Sequence, residues 1–206
     1  MPIRGLYVVT DVTLRPARSH VDIVRAALAG GARVIQLRDK SASLSSVVDQ
    51  GREIRSLTRA AGAMFIVNDR CDLTLACDAD GVHLGPDDLP PGEARHLLGA
   101  ERIVGISVNS VEEAHVAQRA GADYLGVGAI FGTTTKSYAG TAIGLDRLRE
   151  IKAATSLPVV AIGGITVTNI RSVAQSGADA AAVVSAVVCA DDMEAATRAL
   201  VAKFMR

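Results

Sequence analysis

Short apolar runs rich in β-branched residues recur along the whole chain and are separated by polar or Ala-rich stretches. Runs that are apolar at nearly every position are typical of strands in a parallel sheet that helices cover. The pattern predicts eight strands, over Leu6–Thr10, Val34–Arg38, Met64–Asn68, Gly81–Gly85, Ile103–Ser107, Tyr124–Ala129, Pro158–Gly163 and Ala181–Ser185.

The stretches between these runs carry apolar residues at helical spacing. Gly30-Gly31, Gly121-Ala122 and Gly177-Ala178 each follow a helical pattern and precede a strand, as glycine does just past a helix C-terminus. Strands that alternate with helices predict the α/β class, and eight such units over residues 1–206 predict a single-domain (β/α)8 TIM barrel. A doubly wound open sheet is the alternative. The predicted helices are Val21–Ala29, Leu44–Ala61, Val111–Ala120, Leu145–Ala154, Asn169–Ser176 and Met193–Phe204, with a short one near Asp72–Cys77.

Polar residues interrupt the apolar pattern where the predicted strands end. Gln36, Arg38 and Lys40 alternate with their neighbours at the end of the second strand, so we expect them to share one face. An amide and two cations are costly to place together inside a fold without an anionic partner. Active sites of such barrels lie at the carboxyl ends of the strands. We therefore expect this cluster to bind an anion.

Two carboxylates are predicted at the same end of the barrel. Asp69 follows Asn68 at the end of the third strand, and Asp88 lies in the loop after the fourth. Mg²⁺ commonly takes one or two carboxylates together with waters and phosphate oxygens. Asp is also a common helix cap, and capping is the better interpretation of either residue alone. Taken together with Arg38, Lys40 and Lys136, the two carboxylates are better interpreted as a metal-binding pair.

A second anion site is predicted from the later loops. Gly163-Gly164 follows the seventh strand and Ser185 ends the eighth, and barrels frequently bind phosphate at these two loops. Glycine lets main-chain amides approach a ligand, although the pair could simply form a tight turn. The long loop over 130–143 contains Thr133-Thr134-Thr135-Lys136, which could fold over a substrate or remain a solvated connection.

Charge and cysteine content narrow the class of partner. The 22 Lys and Arg balance the 22 Asp and Glu without a basic tail, so neither nucleic acid nor a membrane surface is an expected partner. No apolar run approaches the roughly 20 residues of a membrane span. An odd number of cysteines without metal-ligand spacing favours a reducing, cytoplasmic location. These cysteines are Cys71, Cys77 and Cys189.

The residues together predict a site with two anionic ends and no obvious general base or nucleophile between them. His83 is expected to be structural, and the other histidines, His20, His96 and His115, are expected to face solvent. A cationic, metal-assisted pocket suits a diphosphate, whereas amides and hydroxyls suffice for one phosphate. This combination fits displacement of pyrophosphate, in which positioning and leaving-group stabilisation supply the rate.

Taken in order, the polar motifs resemble those of the thiamine-phosphate synthase family nearly from end to end. The resemblance implies a transferase of thiamine biosynthesis. It would join hydroxymethylpyrimidine diphosphate to 4-methyl-5-(2-phosphoethyl)thiazole, or to its carboxylated form, giving thiamine phosphate and pyrophosphate. The motifs are Gln36-Leu37-Arg38-Asp39-Lys40, Val67-Asn68-Asp69, Gly81-Val82-His83-Leu84-Gly85 with Asp87-Asp88, Gly105-Ile106-Ser107, Gly132-Thr133-Thr134-Thr135-Lys136, Ile162-Gly163-Gly164-Ile165 and Val184-Ser185.

The same resemblance implies a role for each matching residue. Asp69 and Asp88 would bind Mg²⁺, and the small-molecule substrates would be held by two groups of residues. The pyrimidine diphosphate would contact Gln36, Arg38, Lys40, Asn68, Ser107 and Lys136, with Leu37 and Asp39 of the same motif also counted as substrate-binding. The thiazole phosphate would contact Thr133, Thr134, Thr135, Gly164, Val184 and Ser185. Catalysis would rest on Arg38, Lys40, Ser107 and Lys136.

One position departs from the family pattern. Relatives often carry histidine where this chain has Asn109, and the similar thiazole phosphate tautomerases use a histidine in this neighbourhood as an acid or base. An asparagine amide cannot transfer a proton usefully. The departure therefore disfavours the tautomerase alternative. The other alternative is a non-catalytic barrel that binds a phosphate ligand, which the intact set of charged strand ends disfavours.

Overall fold

The β-branched runs form one closed ring of parallel strands. A computed structural model describes residues 3–40, 42–132 and 142–205. Each strand pairs with its neighbours in chain order, and β1 also pairs with β8, which closes the ring. The predicted (β/α)8 barrel is thereby confirmed, and the strand ends agree with prediction to within two residues. The strands are β1 (Gly5–Val9), β2 (Val34–Leu37), β3 (Met64–Asn68), β4 (Gly81–Leu84), β5 (Ile103–Val108), β6 (Tyr124–Val127), β7 (Val159–Ile162) and β8 (Ala180–Val183).

Helices follow the strands on the outside of the ring, and the predicted ones are confirmed. None of those in the described ranges is long and apolar enough to cross a membrane. They are α1 (His20–Ala29), α2 (Leu44–Ala61), α3 (Cys71–Ala76), α4 (Pro91–Leu98), α5 (Val111–Arg119), α6 (Gly144–Ala154), α7 (Ile170–Gln175), α8 (Ser185–Val188) and α9 (Met193–Phe204).

Two helices were not among the predictions, and each has a local reason. α4 opens with Pro91-Gly92 after Pro90, which is a loop-like sequence, but proline is well tolerated in the first turn of a helix. α8 has only four residues. The expectation that Ser185 ends the eighth strand is wrong, because β8 stops at Val183 and Ser185 is the first residue of α8.

Side chains alternate between two apolar layers along the strands. Val8, Ile35 and Phe65 are fully buried in the layer between the ring and the helices. Tyr7 and Tyr124 belong to the inner layer, which fills the barrel. Both faces of each strand are therefore dry, which explains why the runs are apolar at nearly every position. A polar residue in the inner register must either find a partner inside the barrel or emerge at its mouth.

Candidate active site

The carboxyl ends of the strands bring those predicted diphosphate-binding residues that the structure describes to one face of the barrel. Gln36 and Asn68 lie near the ends of β2 and β3, and both are buried. Ser107 lies near the end of β5. Lys40 extends over the mouth from the loop after β2, where its Nζ lies 3.3 Å from Asp69 Oδ2. Residues that are distant in sequence thus lie close together at the carboxyl ends of the parallel strands, as predicted.

Arg38 is anchored by a carboxylate that the sequence did not single out. Its Nη1 donates to Asp11 Oδ2, and both side chains are largely buried. Asp11 Oδ1 also accepts a hydrogen bond from Thr13 N at 3.0 Å and one from the Thr13 hydroxyl. Arg38 Nε is buried, and none of the described residues accepts a hydrogen bond from it. The guanidinium is therefore held by one edge and retains unused donor capacity.

A buried histidine supports the same loop from below. His20 Nδ1 lies 2.7 Å from Thr10 Oγ1, and His20 Nε2 lies 3.0 Å from Asp39 Oδ2. Thr10 Oγ1 also accepts a hydrogen bond from Arg38 N at 3.2 Å. The expectation that His20 faces solvent is wrong, because only 1% of its side chain is exposed. Packing of the first turn of α1 under the β2 loop buries the imidazole and supplies it with two partners.

Thr10 and Asp11 mark the strand end that the sequence interpretation left out. They follow Val9 at the end of β1, directly beside β2 in the closed ring. The rule that active sites of such barrels lie at the strand ends applies to the first strand as well and includes this pair.

The carboxylates of Asp69 and Asp88 face each other beside Lys40. Burial raises the pKa of Asp69, and the hydrogen bond to Asp88 and its charge raise this pKa further, whereas Lys40 lowers it. Asp69 adopts a left-handed backbone conformation with φ of 66°, which is unusual outside glycine and turns the residue out of the strand direction. Asp88 Oδ2 is fixed by Gly85 N, which donates to it at 2.7 Å.

This carboxylate pair has the chemistry of a divalent cation site of the magnesium type. Two oxygen-bearing side chains with excess negative charge fit a hard cation that completes its shell with water and phosphate oxygens. Among the described residues, no cluster of three or more His, Cys, Asp or Glu forms a metal cage. Two carboxylates would leave the other positions around such an ion to water and phosphate oxygens.

A continuous chain of hydrogen bonds crosses the inside of the barrel below the mouth. Gln36 Nε2 donates to the Tyr7 hydroxyl at 2.7 Å, and the Tyr7 and Tyr124 hydroxyls lie 3.1 Å apart. His83 Nδ1 lies 2.9 Å from the Tyr124 hydroxyl, and His83 Nε2 lies 2.9 Å from Ser107 Oγ. The chain thus connects two predicted substrate-binding residues, Gln36 and Ser107, through three groups that the sequence did not assign to the site.

The predicted second anion site lies where the β6 and β7 loops pack closely. Ile130 N and Phe131 N donate to Ile162 O and Gly163 O at 2.9 and 3.0 Å. Gly164 has a φ of 63°, and a Cβ at this position would lie 2.6 Å from Gly132 O. The glycine is therefore required for both its conformation and its surroundings.

The remaining predicted residues are placed as follows. Val184 is half-buried and directly precedes α8, whose first residue, Ser185, is exposed. The Leu37 side chain is buried in the outer layer, so it faces the helices and not the mouth. Asp39 is turned under the loop, where its Oδ1 accepts from Ala42 N at 2.9 Å. Four predicted residues lie outside the described ranges: Thr133, Thr134, Thr135 and Lys136.

The chain is similar to known proteins over nearly its whole length. A family model described as thiamine monophosphate synthase matches residues 6–187. A thiamine-phosphate synthase from Chloroflexus aurantiacus is 54% identical over 195 residues, which cover 95% of this chain and 90% of the relative. One from Moorella thermoacetica is 52% identical over 200 residues, which cover 97% and 95%. The solved thiamine phosphate pyrophosphorylase of Pyrococcus furiosus has a TM-score of 0.90 at 45% identity, covering 98% of this chain and 95% of that one.

Proposed function

This chain belongs to the thiamine monophosphate synthase family, and we propose that it condenses hydroxymethylpyrimidine diphosphate with a thiazole phosphate, giving thiamine phosphate and pyrophosphate. The observation that carries the proposal is the joint position of Arg38, Lys40 and the Asp69–Asp88 pair at one end of the barrel. Such a concentration of cations and carboxylates suits a metal-bound diphosphate. The chain is accordingly a transferase of thiamine biosynthesis.

The reaction requires little proton transfer from the protein. The bond between the pyrimidine methylene carbon and the diphosphate oxygen breaks, and the thiazole nitrogen forms the new bond with its own lone pair. No proton has to leave that nitrogen, so a general base is not needed. In the described part of the mouth, the carboxylates of Asp11 and Asp69 are paired with Arg38 and Lys40. The protein contributes by positioning the two substrates and by stabilising the departing pyrophosphate.

Arg38, Lys40 and Ser107 are proposed to bind the diphosphate. Arg38 has an Nε–H that bonds none of the described residues, and its guanidinium is already oriented by Asp11. Charge-assisted hydrogen bonds to phosphate oxygens are about twice as strong as neutral ones. Gln36, whose amide lies deeper in the barrel, is proposed to contact the pyrimidine. Lys136 is proposed to complete the diphosphate pocket.

Mg²⁺ is proposed to be held by Asp69 and Asp88, whose mutual repulsion a cation would relieve. When bound, the ion would neutralise charge on the leaving diphosphate. Lys40, whose Nζ lies 3.3 Å from Asp69 Oδ2, would help to hold the same carboxylate in place. The thiazole phosphate is proposed to lie at the loops after β7 and β8, with Gly164, Val184 and Ser185, and against Thr133, Thr134 and Thr135.

Asn109 supports the transferase over an isomerase of the thiazole phosphate. Its main-chain N donates to Glu113 Oε2 at 2.6 Å, and the amide nitrogen, correctly oriented, donates to Gly128 O at 2.5 Å. Asn109 is thus bonded to the Glu113 side chain and to the main chain of Gly128, and its amide has no acid–base capacity. A cytoplasmic location is proposed as well, and the free thiols of Cys71, Cys77 and Cys189 are in keeping with a reducing compartment.

The test is an assay of the purified chain with both phosphorylated substrates, with and without Mg²⁺. We expect thiamine phosphate and pyrophosphate in equal amounts, with turnover that depends on Mg²⁺. Isomerisation of the thiazole phosphate alone would indicate the tautomerase instead. Binding of either substrate without any product under both conditions would overturn the enzymatic proposal.

A further inference from the structure

We propose that His83 is a positioning residue that fixes the Ser107 hydroxyl as a hydrogen-bond donor toward the diphosphate, at the end of a directional chain that starts at Gln36. The inference rests on the proposed function, since it concerns how two of the proposed substrate contacts are oriented. His83 lies below the mouth and acts through Ser107, at 2.9 Å from its Oγ.

The direction of donation along the chain follows from counting protons. Gln36 Nε2 can only donate, so the Tyr7 hydroxyl accepts from it. Among the described residues, the Tyr124 hydroxyl is the only acceptor within reach of the buried Tyr7 proton, so Tyr7 donates to Tyr124. Tyr124 has then accepted, so its proton goes to His83 Nδ1. A neutral imidazole that accepts at Nδ1 carries its proton on Nε2 and donates it to Ser107. Because Ser107 accepts from His83, the hydroxyl proton of Ser107 remains available for donation to a ligand.

Both phenols keep the single proton that this argument requires. Burial raises the pKa of Tyr7 and of Tyr124 well above the usual range for tyrosine. Neither hydroxyl therefore loses its proton to become a phenolate, which would have no hydrogen to donate. Each tyrosine accepts one hydrogen bond and donates one. The orientation of the Gln36 amide therefore determines whether Ser107 accepts from His83 or donates to it.

Two glycines that face the inside of the barrel leave the space that the rings of His83 and Tyr124 fill. An added Cβ at Gly126 would lie 2.6 Å from His83 Cε1, and one at Gly105 would overlap the Tyr124 ring. The rings therefore occupy space that only glycine leaves open on β5 and β6. His83 and Tyr124 also pack together, with ring centroids 5.4 Å apart. This close packing limits rotation of the imidazole, so its tautomer determines what Ser107 receives.

The hydrogen-bond chain has a consequence for binding, because its two ends are proposed to contact the two ends of one substrate. A diphosphate offers only acceptors, so Ser107 contributes to binding only if its proton points outward. An aminopyrimidine edge offers both donors and acceptors, which an amide such as Gln36 can match in one orientation. If the Gln36 amide were reversed, Tyr7 would donate to it, every later bond would reverse, and Ser107 would donate to His83 instead. The chain thus couples recognition of the pyrimidine to stabilisation of the leaving group.

The first test measures the tautomer directly and does not depend on activity. The full chain is labelled with ¹⁵N-histidine, and the His83 resonances are assigned by their loss in His83→Gln. We expect a neutral ring with its proton on Nε2 near neutral pH, unchanged when pyrophosphate is added. A proton on Nδ1 would overturn the proposal even if the synthase assay succeeds. Failure of the synthase assay, in turn, would leave this tautomer measurement unaffected.

The second test compares two amide replacements and a double-mutant cycle. In His83→Gln the amide nitrogen can reach Ser107, whereas in His83→Asn it is one carbon short. Removal of one preorganised donor typically lowers kcat by about 10²-fold. We expect a loss of that order in His83→Asn, a loss of under about tenfold in His83→Gln, and an unchanged KM for the thiazole phosphate. In a Ser107→Ala background, replacing His83 by Asn should have little further effect, because coupled residues are not additive. A full loss in that background would show that His83 has only a structural role.

Discussion

Lys40 Nζ lies 3.3 Å from Asp69 Oδ2, so a cation of the proposed diphosphate pocket also contacts the carboxylate pair. The two halves of the charged cluster are therefore linked before any ligand binds. Lys40 is mostly exposed, and an exposed pair of this kind contributes little stability. Lys40 and Asp88 act in opposite directions on the pKa of Asp69, which Asp88 raises and Lys40 lowers.

Asp69→Asn is expected to stabilise the metal-free protein at neutral pH. The native pKa of Asp69 lies above its usual value of 3.8, chiefly through burial and then through Asp88. The folded state therefore holds this proton more tightly than the unfolded state, and stability is lost as pH rises from about 4 through the raised pKa. Asparagine removes that loss and tolerates the positive φ. For a chain of this size, each 1 kcal/mol gained raises Tm by about 2–4 °C.

Thermal unfolding from pH 3.5 to 8 checks this expectation. The difference between variant and parent should be present at pH 7 and fade below about pH 4, since the parent carboxyl is then protonated in both states. Added Mg²⁺ should stabilise the parent and not the variant. Asp49→Asn is the control, because Asp49 is 81% exposed and contacts Arg52 only at 4.0 Å. A variant less stable than its parent at pH 7 without metal would contradict the electrostatic account.

Asp11→Asn is expected to destabilise the fold and to make pyrophosphate a stronger stabiliser. Removing one partner of a largely buried ion pair leaves the Arg38 charge uncompensated, which costs about 3–5 kcal/mol. A bound pyrophosphate would supply a replacement negative charge. The rise in Tm on adding pyrophosphate should therefore be larger in the variant than in the parent. An equal or smaller rise would show that Arg38 does not contact the anion.

Glu53→Gln is the matched control for this pair. Glu53 Oε1 lies 2.7 Å from Arg25 Nη2, but both side chains are about half exposed. Exposed pairs contribute about 0.2–1 kcal/mol. The control should therefore change stability little and leave the effect of pyrophosphate as it is in the parent.

The sequence predicted the fold well because both layers of a parallel barrel leave a continuous apolar signal in each strand. It also predicted the positions of Gln36, Arg38 and Asp69, since a polar residue at a strand end stands out against that signal. It did not predict their partners. Tyr7 and Tyr124 are 117 residues apart and meet only because the ring closes in a particular register. Tyrosine is common within buried strands, so the sequence pattern does not distinguish these two residues from other core residues.

His20 shows a different limit of sequence interpretation. It lies directly after the capping residue Ser19, where a polar side chain usually faces water. Only the packing of α1 under the β2 loop brings it to Thr10 and Asp39. A helical pattern predicts which residues share a face of the helix, but it does not predict which loop packs over the end of the helix.

Thr10→Val is expected to weaken the loop that carries Arg38. The substitution keeps the shape of the side chain and removes the hydroxyl that accepts from Arg38 N and bonds His20. Leaving buried groups without a partner costs about 1–3 kcal/mol. Denaturant unfolding should show that loss, and titration calorimetry should show weaker pyrophosphate binding. Thr10→Ser retains the hydroxyl and loses one methyl group, so its pyrophosphate affinity should stay near that of the parent. Equal affinity losses in both variants would assign the effect to packing and not to the hydrogen bonds.

Gly164→Ala is expected to impair the site more than its backbone conformation alone explains. Gly164 has a φ of 63°, and an added Cβ would lie 2.6 Å from Gly132 O, so the β6 and β7 loops would have to separate. Gly62, after α2, has a φ of 61° with nothing within 4 Å of an added Cβ. Gly62→Ala therefore reports the cost of the left-handed conformation by itself, about 1 kcal/mol. We expect Gly164→Ala to lose more stability than this control and to raise the KM for the thiazole phosphate, while Gly62→Ala leaves that KM unchanged. If the thiazole phosphate binds near this glycine, the KM for the pyrimidine diphosphate should change much less. An equal rise in both KM values would indicate a general collapse of the mouth and would count against a separate phosphate site at the β7 loop.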